Sequence, residues 1–331
     1  LKIFNNKLFN MKKITLLLML FLTSWTYSQQ VSSYSFSQTT STYTEITAGT
    51  LLGSTTDDGQ RFVNPAAPLG GTTYTGVGLP IGFNFTFNGV VYDKFAVATD
   101  GWISLGSSTL TPSVNINTSS AYTPLSSTST SVTDGLVARV AALGKDLQGQ
   151  TGSQLSFETI GTAPNRTLVV QWKNYRKYNA TGDSFNFQIR LNETTNVVDV
   201  VYGTFTSNNT TNALYHVGLR ANPAATATNY TNRNSLTSWA ATAPGFANTS
   251  AVLMSDLIIP TSGLTFSWAP QTCLVPTALV VSNITVDSAT IAWTAATSTP
   301  TGYEYYVSAS DAYPTAAGIA TTDLTAPVTG L

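Results

Sequence analysis

Apolar residues recur at every second position along much of this chain, in short runs separated by turn residues. The clearest block spans Leu79 to Gly106. Ile81, Phe83, Phe85 and Phe87 alternate with Gly82, Asn84 and Thr86, so one face is aromatic and the other small or polar. A period of two is the strand signature. Asn88-Gly89 follows at once, and both residues tolerate the positive φ of a tight hairpin. The return strand carries Tyr92, Phe95 and Val97. Asp100-Gly101 makes a second turn, and Trp102-Ile103-Ser104-Leu105 starts a third strand. The pattern predicts a meander with one apolar face.

The same reading extends over the rest of the chain. Tyr34 and Phe36 open it, and Asp57-Asp58-Gly59 reads as a turn. Strands are expected at Leu136–Ala142, Leu155–Thr159, Thr167–Lys173, Phe185–Leu191, Val198–Tyr202, His216–Leu219 and Leu264–Trp268. Ser107 to Thr133 is Ser/Thr-rich with few apolar anchors and reads as a long surface excursion. Ala221 to Ser250 reads as loop. Residues 271–275 are a linker. A second β unit follows, with strands at Ala278–Ile284, Ala289–Ala295 and Tyr303–Ser308 and another beginning at Thr325. No amphipathic helix is expected beyond the leader. The fold class is all-β: a large antiparallel β-sandwich of jelly-roll-like type at 29–270, then a smaller sandwich at 276–331 that lacks its last strands.

Residues 1–28 read as an upstream extension and a signal peptide that starts at Met11. Lys12 and Lys13 precede an apolar core from Ile14 to Leu22, and Thr26 and Ser28 suit cleavage before Gln29. The apolar run is shorter than the roughly 20 residues of a membrane span. Charged residues make up 9% of the chain, against about 25% in an average soluble domain. Without Lys2, Lys7, Lys12 and Lys13 of the leader, 11 basic residues face 16 acidic ones. Such a charge-poor, mildly acidic surface excludes nucleic acid and anionic membranes as partners. Export with a single cysteine, Cys273, leaves no disulfide within the chain.

Two resemblances carry further expectations. From Pro276 onward the chain resembles a fibronectin type III module, through Pro276-Thr277, Val281-Ser282-Asn283-Ile284-Thr285 and Ser288-Ala289-Thr290-Ile291-Ala292-Trp293. The resemblance implies an immunoglobulin-like sandwich with Trp293 in its core and Tyr305 on the third strand. Such a module needs about 100 residues, so this one is C-terminally incomplete. Residues 31–270 resemble a domain that precedes such modules in secreted Gram-negative proteins of the type IX route, and more distantly the extracellular domain of nidogen. The segments are IGFNFTFNG at Ile81–Gly89, VATDGWISLG at Val97–Gly106, LVVQWKNYR at Leu168–Arg176 and FNFQIRLNETTNVVDVVYG at Phe185–Gly203. These domains imply adhesion and matrix assembly rather than catalysis.

The chemistry of the chain agrees. His216 is the only histidine and lies in a strand-like run, which leaves a Ser-His-Asp or Cys-His site without support. One His and one Cys do not fill a zinc site. Asp57-Asp58 lacks the spaced acids of a calcium loop. Asp146, Glu158, Asp183, Glu193 and Asp199 are scattered, with Asp183 and Glu193 at strand ends. No metal and no cofactor is expected. A sugar site wants exposed flat rings beside polar groups. Trp102, Trp172, Tyr175 and Tyr178 are the candidates, although Trp172 alternates with Val170 and reads as core more readily than as platform; Tyr175 and Tyr178 fall in the loop after that strand. The first expectation is a non-catalytic module, secreted or on the outer cell surface, that binds an extracellular protein or glycan. The alternative is an accessory, carbohydrate-binding region of a secreted hydrolase whose catalytic domain lies beyond residue 331.

Overall fold

Alternation along the sequence becomes alternation of burial. In β5 (Leu79–Phe87) the side chains of Leu79, Ile81, Phe83, Phe85 and Phe87 are buried, while Pro80, Gly82 and Asn84 face outward. Each large side chain withdrawn from water contributes about 1.5–3 kcal/mol. The computed structural model describes residues 30–53, 58–65, 73–117, 122–126, 138–221, 229–270, 276–295, 302–308 and 318–330. The leader, Asp57 and Cys273 lie outside the described residues.

Residues Gln29–Gln271 form one unit, a β-sandwich. Its first sheet runs in the order β1 (Ser35–Thr40), β19 (Leu264–Ala269), β14 (Val198–Thr206), β13 (Ser184–Asn192), β12 (Thr167–Lys177), β11 (Gln154–Ile160) and β2 (Thr50–Gly53). The short β10 (Leu147–Gln148) pairs with the end of β12. The second sheet runs β17 (Ala243–Pro244), β16 (Tyr230–Asn234), β15 (Ala213–Arg220), β9 (Arg139–Gly144), β7 (Trp102–Gly106), β6 (Val90–Ala98) and β3 (Arg61–Phe62). There β5 pairs with β6, and β18 (Val252–Met254) pairs with β15. A ribbon of β4 (Thr75–Gly76) and β8 (Val114–Asn115) pairs outside these two ladders. The inner faces share one core. Phe95 of the second sheet meets Phe157 of the first edge-on at 5.3 Å, and the Tyr202 hydroxyl donates to the Ala142 carbonyl across the gap at 2.9 Å.

The outer face of the second sheet carries its own small core. Ala96, Ala98, Trp102 and Ala141 pack with Val63, Val114, Ile116 and Leu125. Part of the expected surface excursion therefore lies on the sheet, at Val114, Ile116 and Leu125, while Ser108–Pro112 and Tyr122 are exposed. Trp102, a candidate sugar platform, is fully buried there beneath the Arg139 guanidinium, 4.8 Å from the ring centre. Arg139 and Arg220 donate to the carbonyls of Asn117, Pro124 and Leu125 and hold this covering segment down. The Asp100-Gly101 turn is structural as well. Gly101 has φ +81, and a Cβ there would lie 2.4 Å from the Leu143 carbonyl oxygen. Asp100 pairs with Arg61 at 3.1 Å and accepts the Leu147 N–H at 3.2 Å.

The loop expected over 221–250 also holds strands. In β16 the buried side chains are Asn232 and Arg233, and Asn232 donates to the carbonyls of Ala247 and Ser250. A strand satisfied by polar bonds shows no hydrophobic alternation. Trp239 nearby is buried and meets Tyr202 and Phe266.

The described residues from 276 onward belong to a second unit. It has a three-stranded antiparallel sheet in the order β20 (Thr277–Ser282), β21 (Ser288–Thr294), β24 (Thr325–Thr329), and a ribbon of β22 (Tyr303–Tyr305) and β23 (Ile319–Thr321). Trp293 is buried and packs edge-on against Tyr303 at 5.5 Å. Tyr305, the residue expected in the core on the third strand, is half-buried on β22 beside it.

Candidate functional site

The site begins with a fault in a strand. The ladder between β12 and β13 loses register between Trp172 and Tyr175, and Asn174 sits there with φ +55. Asn is among the few side chains that adopt this left-handed conformation readily. A bulge adds a residue and re-aims those around it. Without it, Asn174 would follow Trp172 inward and Tyr175 would point out. With it, Trp172 and Tyr175 are both buried, and Asn174 is half-buried at the surface.

This corrects the reading of the aromatic candidates. Tyr175 belongs to β12, not to the following loop, and pairs in register with Phe185. Trp172 stacks on Phe187 at 4.9 Å. With Trp102 buried on the other sheet, Tyr178 alone of the four is exposed, at 41%. It sits in the turn after Arg176, where its N–H donates to the Asp146 carbonyl and the next N–H, of Asn179, donates to Gln148 Oε1.

Around the bulge lies an open polar cleft of about 530 Å³, lined by Gln148–Thr151, Asn174, Arg176, Gly182 and Asp183. Asn174 is its hub. Its Oδ1 accepts from Gln150 Nε2 at 3.0 Å and Ser184 Oγ at 2.8 Å, and its Nδ2 donates to the Thr151 carbonyl at 3.0 Å. Its own N–H donates to Asn186 Oδ1, beside a second bulge, between Phe185 and Phe187 of β13. Gly182, φ +83, lets the chain pass Asn208; a Cβ would fall 2.1 Å from Asn208 Nδ2.

Two charged groups line this cleft with capacity left over. Asp183 is 2% exposed. Its Oδ1 accepts from Ser207 Oγ at 2.9 Å and the Asn208 N–H at 3.1 Å, while its buried Oδ2 has no partner. Arg176 donates through its terminal nitrogens to the Ala180 carbonyl and Gln148 Oε1, while its buried Nε has none. The two do not pair with each other. The ion pairs among the described residues are Arg61–Asp100, Arg166–Glu193 and Lys173–Glu45.

The other titratable groups are held by the fold. His216 is buried on β15; burial, with Lys145 beside it, pushes its pKa down to about 4. Glu193 holds Arg166, and Asp199 accepts from Ser267 and Asn192. Burial, then the nearby Asp58 charge, raises the Asp146 carboxyl. Among the described residues no group of three or more His, Cys, Asp or Glu is placed to hold a metal ion. Asp183 was visible in the sequence only as an acid at a strand end. Gln150, Asn174 and Arg176 had no signal beyond the failure of alternation after Trp172.

A family model described as NIDO related matches residues 33–270. No curated protein and no solved structure matches the chain.

Proposed function

The chain belongs to the NIDO-related family through residues 33–270, and on that premise we propose that it is a non-catalytic extracellular module that binds a protein or glycan partner in adhesion or matrix assembly. The family match carries the reading. The polar cleft around Asn174 supports it, because its lining is built from amides, glycines and one pair of opposite charges rather than from an activated nucleophile and base. No helix among the described residues is long and apolar enough to cross a membrane.

The second unit acts in this reading as a fibronectin type III-like spacer. Its β20-β21-β24 order and the buried Trp293 on β21 support that assignment. The leader and the pairing of the two units support export by the type IX route.

The test separates binding from turnover. The purified chain is offered immobilised glycans and peptides, and in parallel soluble glycoside and peptide substrates. Saturable binding with no product is the expected result. Turnover that a single Asp or Glu substitution abolishes would overturn the proposal.

A further inference from the structure

We infer that the cleft around Asn174 is a binding site for a neutral sugar. The inference rests on the reading of the chain as an extracellular binding module and names the ligand class of its cleft.

Two groups at the cleft have unused capacity. Asp183 Oδ2 is a buried acceptor and Arg176 Nε a buried donor, both on residues that line the cleft. Leaving such a group unpaired is costly, and one charged group more so. An apolar ligand would strip water from the amides that line the cleft. An anion would stand beside the Asp183 carboxylate, and a cation beside the Arg176 guanidinium. A hydroxyl both donates and accepts through one oxygen. Adjacent sugar hydroxyls therefore match a carboxylate, a guanidinium and the amides of Gln148, Gln150 and Asn174 without net charge.

The backbone argues against an extended peptide. Peptides that add to a sheet need a free strand edge. The edge at the cleft is β10, two residues long. Gln148 pairs with Arg176 of β12 on one side and bridges Asp58 on the other. What remains available is side-chain chemistry. The turn that carries the exposed Tyr178 ring is bonded to two residues of the cleft wall, Gln148 and Arg176. A flat ring beside polar groups is the further element a sugar site uses.

The test uses the full chain on an array of neutral, sialylated and sulfated glycans printed beside extended peptides. Neutral hits are then titrated calorimetrically against wild type and two variants. Asp183→Asn keeps an oxygen for Ser207 and Asn208 but turns the free acceptor into a donor. Thr151→Trp fills the cleft from an exposed turn position and leaves the Thr151 carbonyl in place. Binding to neutral glycans is expected, weakened at least tenfold by each variant, with the Thr151→Trp thermal melt unchanged. If Asp183→Asn fails to fold, Thr151→Trp decides alone. Binding confined to charged glycans, absence of glycan binding, or neutral-glycan affinity unchanged in Thr151→Trp would overturn the inference. Peptide binding that survives Thr151→Trp also overturns it, yet leaves the module reading intact; turnover of an array ligand would instead overturn that reading.

Discussion

Replacing Asn174 by alanine and by glycine measures how firmly the bulge is held. Alanine removes three side-chain hydrogen bonds: those from Gln150 and Ser184 to Oδ1, and that from Nδ2 to the Thr151 carbonyl. At about 1 kcal/mol net each, reduced because the site is half solvated, their loss costs about 2–3 kcal/mol. Alanine must also hold φ +55, which adds about 1 kcal/mol. Glycine loses the same bonds without that strain. The expected destabilisation is about 3–4 kcal/mol for Asn174→Ala and about 2–3 kcal/mol for Asn174→Gly. Guanidinium unfolding followed by tryptophan fluorescence reads both, since Trp102, Trp172, Trp239 and Trp268 are all buried in the larger unit. Shifted midpoints at constant slope isolate the stability change. If both variants lie within about 0.5 kcal/mol of wild type, Asn174 is not the hub. If alanine equals glycine, the left-handed conformation carries no strain and the account of the bulge is wrong.

Other predictions address the framework and the rim. Gly101→Ala, at φ +81 and with its Cβ 2.4 Å from the Leu143 oxygen, should cost about 2 kcal/mol or more in the same assay; a neutral result would refute the structural reading of that turn. Burial raises the Asp100 carboxyl from 3.8 to about 6 against the opposing Arg61 charge, so the fold binds the extra proton and stability from this group is lost as pH rises from about 4 to 6. His216, lowered from 6.5 to about 4, acts oppositely: its stability is present above 6.5 and lost as pH falls toward 4. The two offset one another, so Asp100→Asn should steepen acid destabilisation and His216→Gln should relieve it, as read from unfolding midpoints between pH 4 and 7; unchanged pH profiles would contradict both assignments. Tyr178→Ala should leave stability within about 0.5 kcal/mol, as an exposed substitution does, and weaken neutral-glycan binding severalfold in calorimetry; unaltered affinity would remove Tyr178 from the site.

How much of this was legible in the sequence depends on what satisfies each strand. The meander from Leu79 to Gly106 was readable because hydrophobic burial holds it and tight turns bound it; β5, β6 and β7 fall within its limits. β16 and β17 were not, because polar bonds of Asn232 and Arg233 hold them. β12 was read as ending at Lys173 but runs to Lys177, since the bulge at Asn174 breaks the period that marks a strand. The same break hides the cleft from the sequence, because the parity change turns Tyr175 inward and Asn174 outward. Trp102 differs for another reason: the segment that covers it is Ser/Thr-rich, and only a few widely spaced apolar residues, Val114, Ile116 and Leu125, pin it to the sheet. Polar cleft residues carry no pattern in a chain so rich in Asn, Ser, Thr and Gly. Only the fold brings Gln150, Asn174, Arg176 and Asp183 together.

The central claim is that this extracellular module binds through the Asn174 cleft and leaves its ligand unchanged. Nitrogen-15 spectra of the labelled chain, recorded during titration with a neutral oligosaccharide selected on the array, test it most directly. The account predicts saturable shifts of the Arg176 Nε–H and of the Gln148, Gln150 and Asn174 side-chain amides, with the oligosaccharide recovered intact. Shifts confined to residues away from the cleft, or recovery of a cleaved sugar, would contradict it.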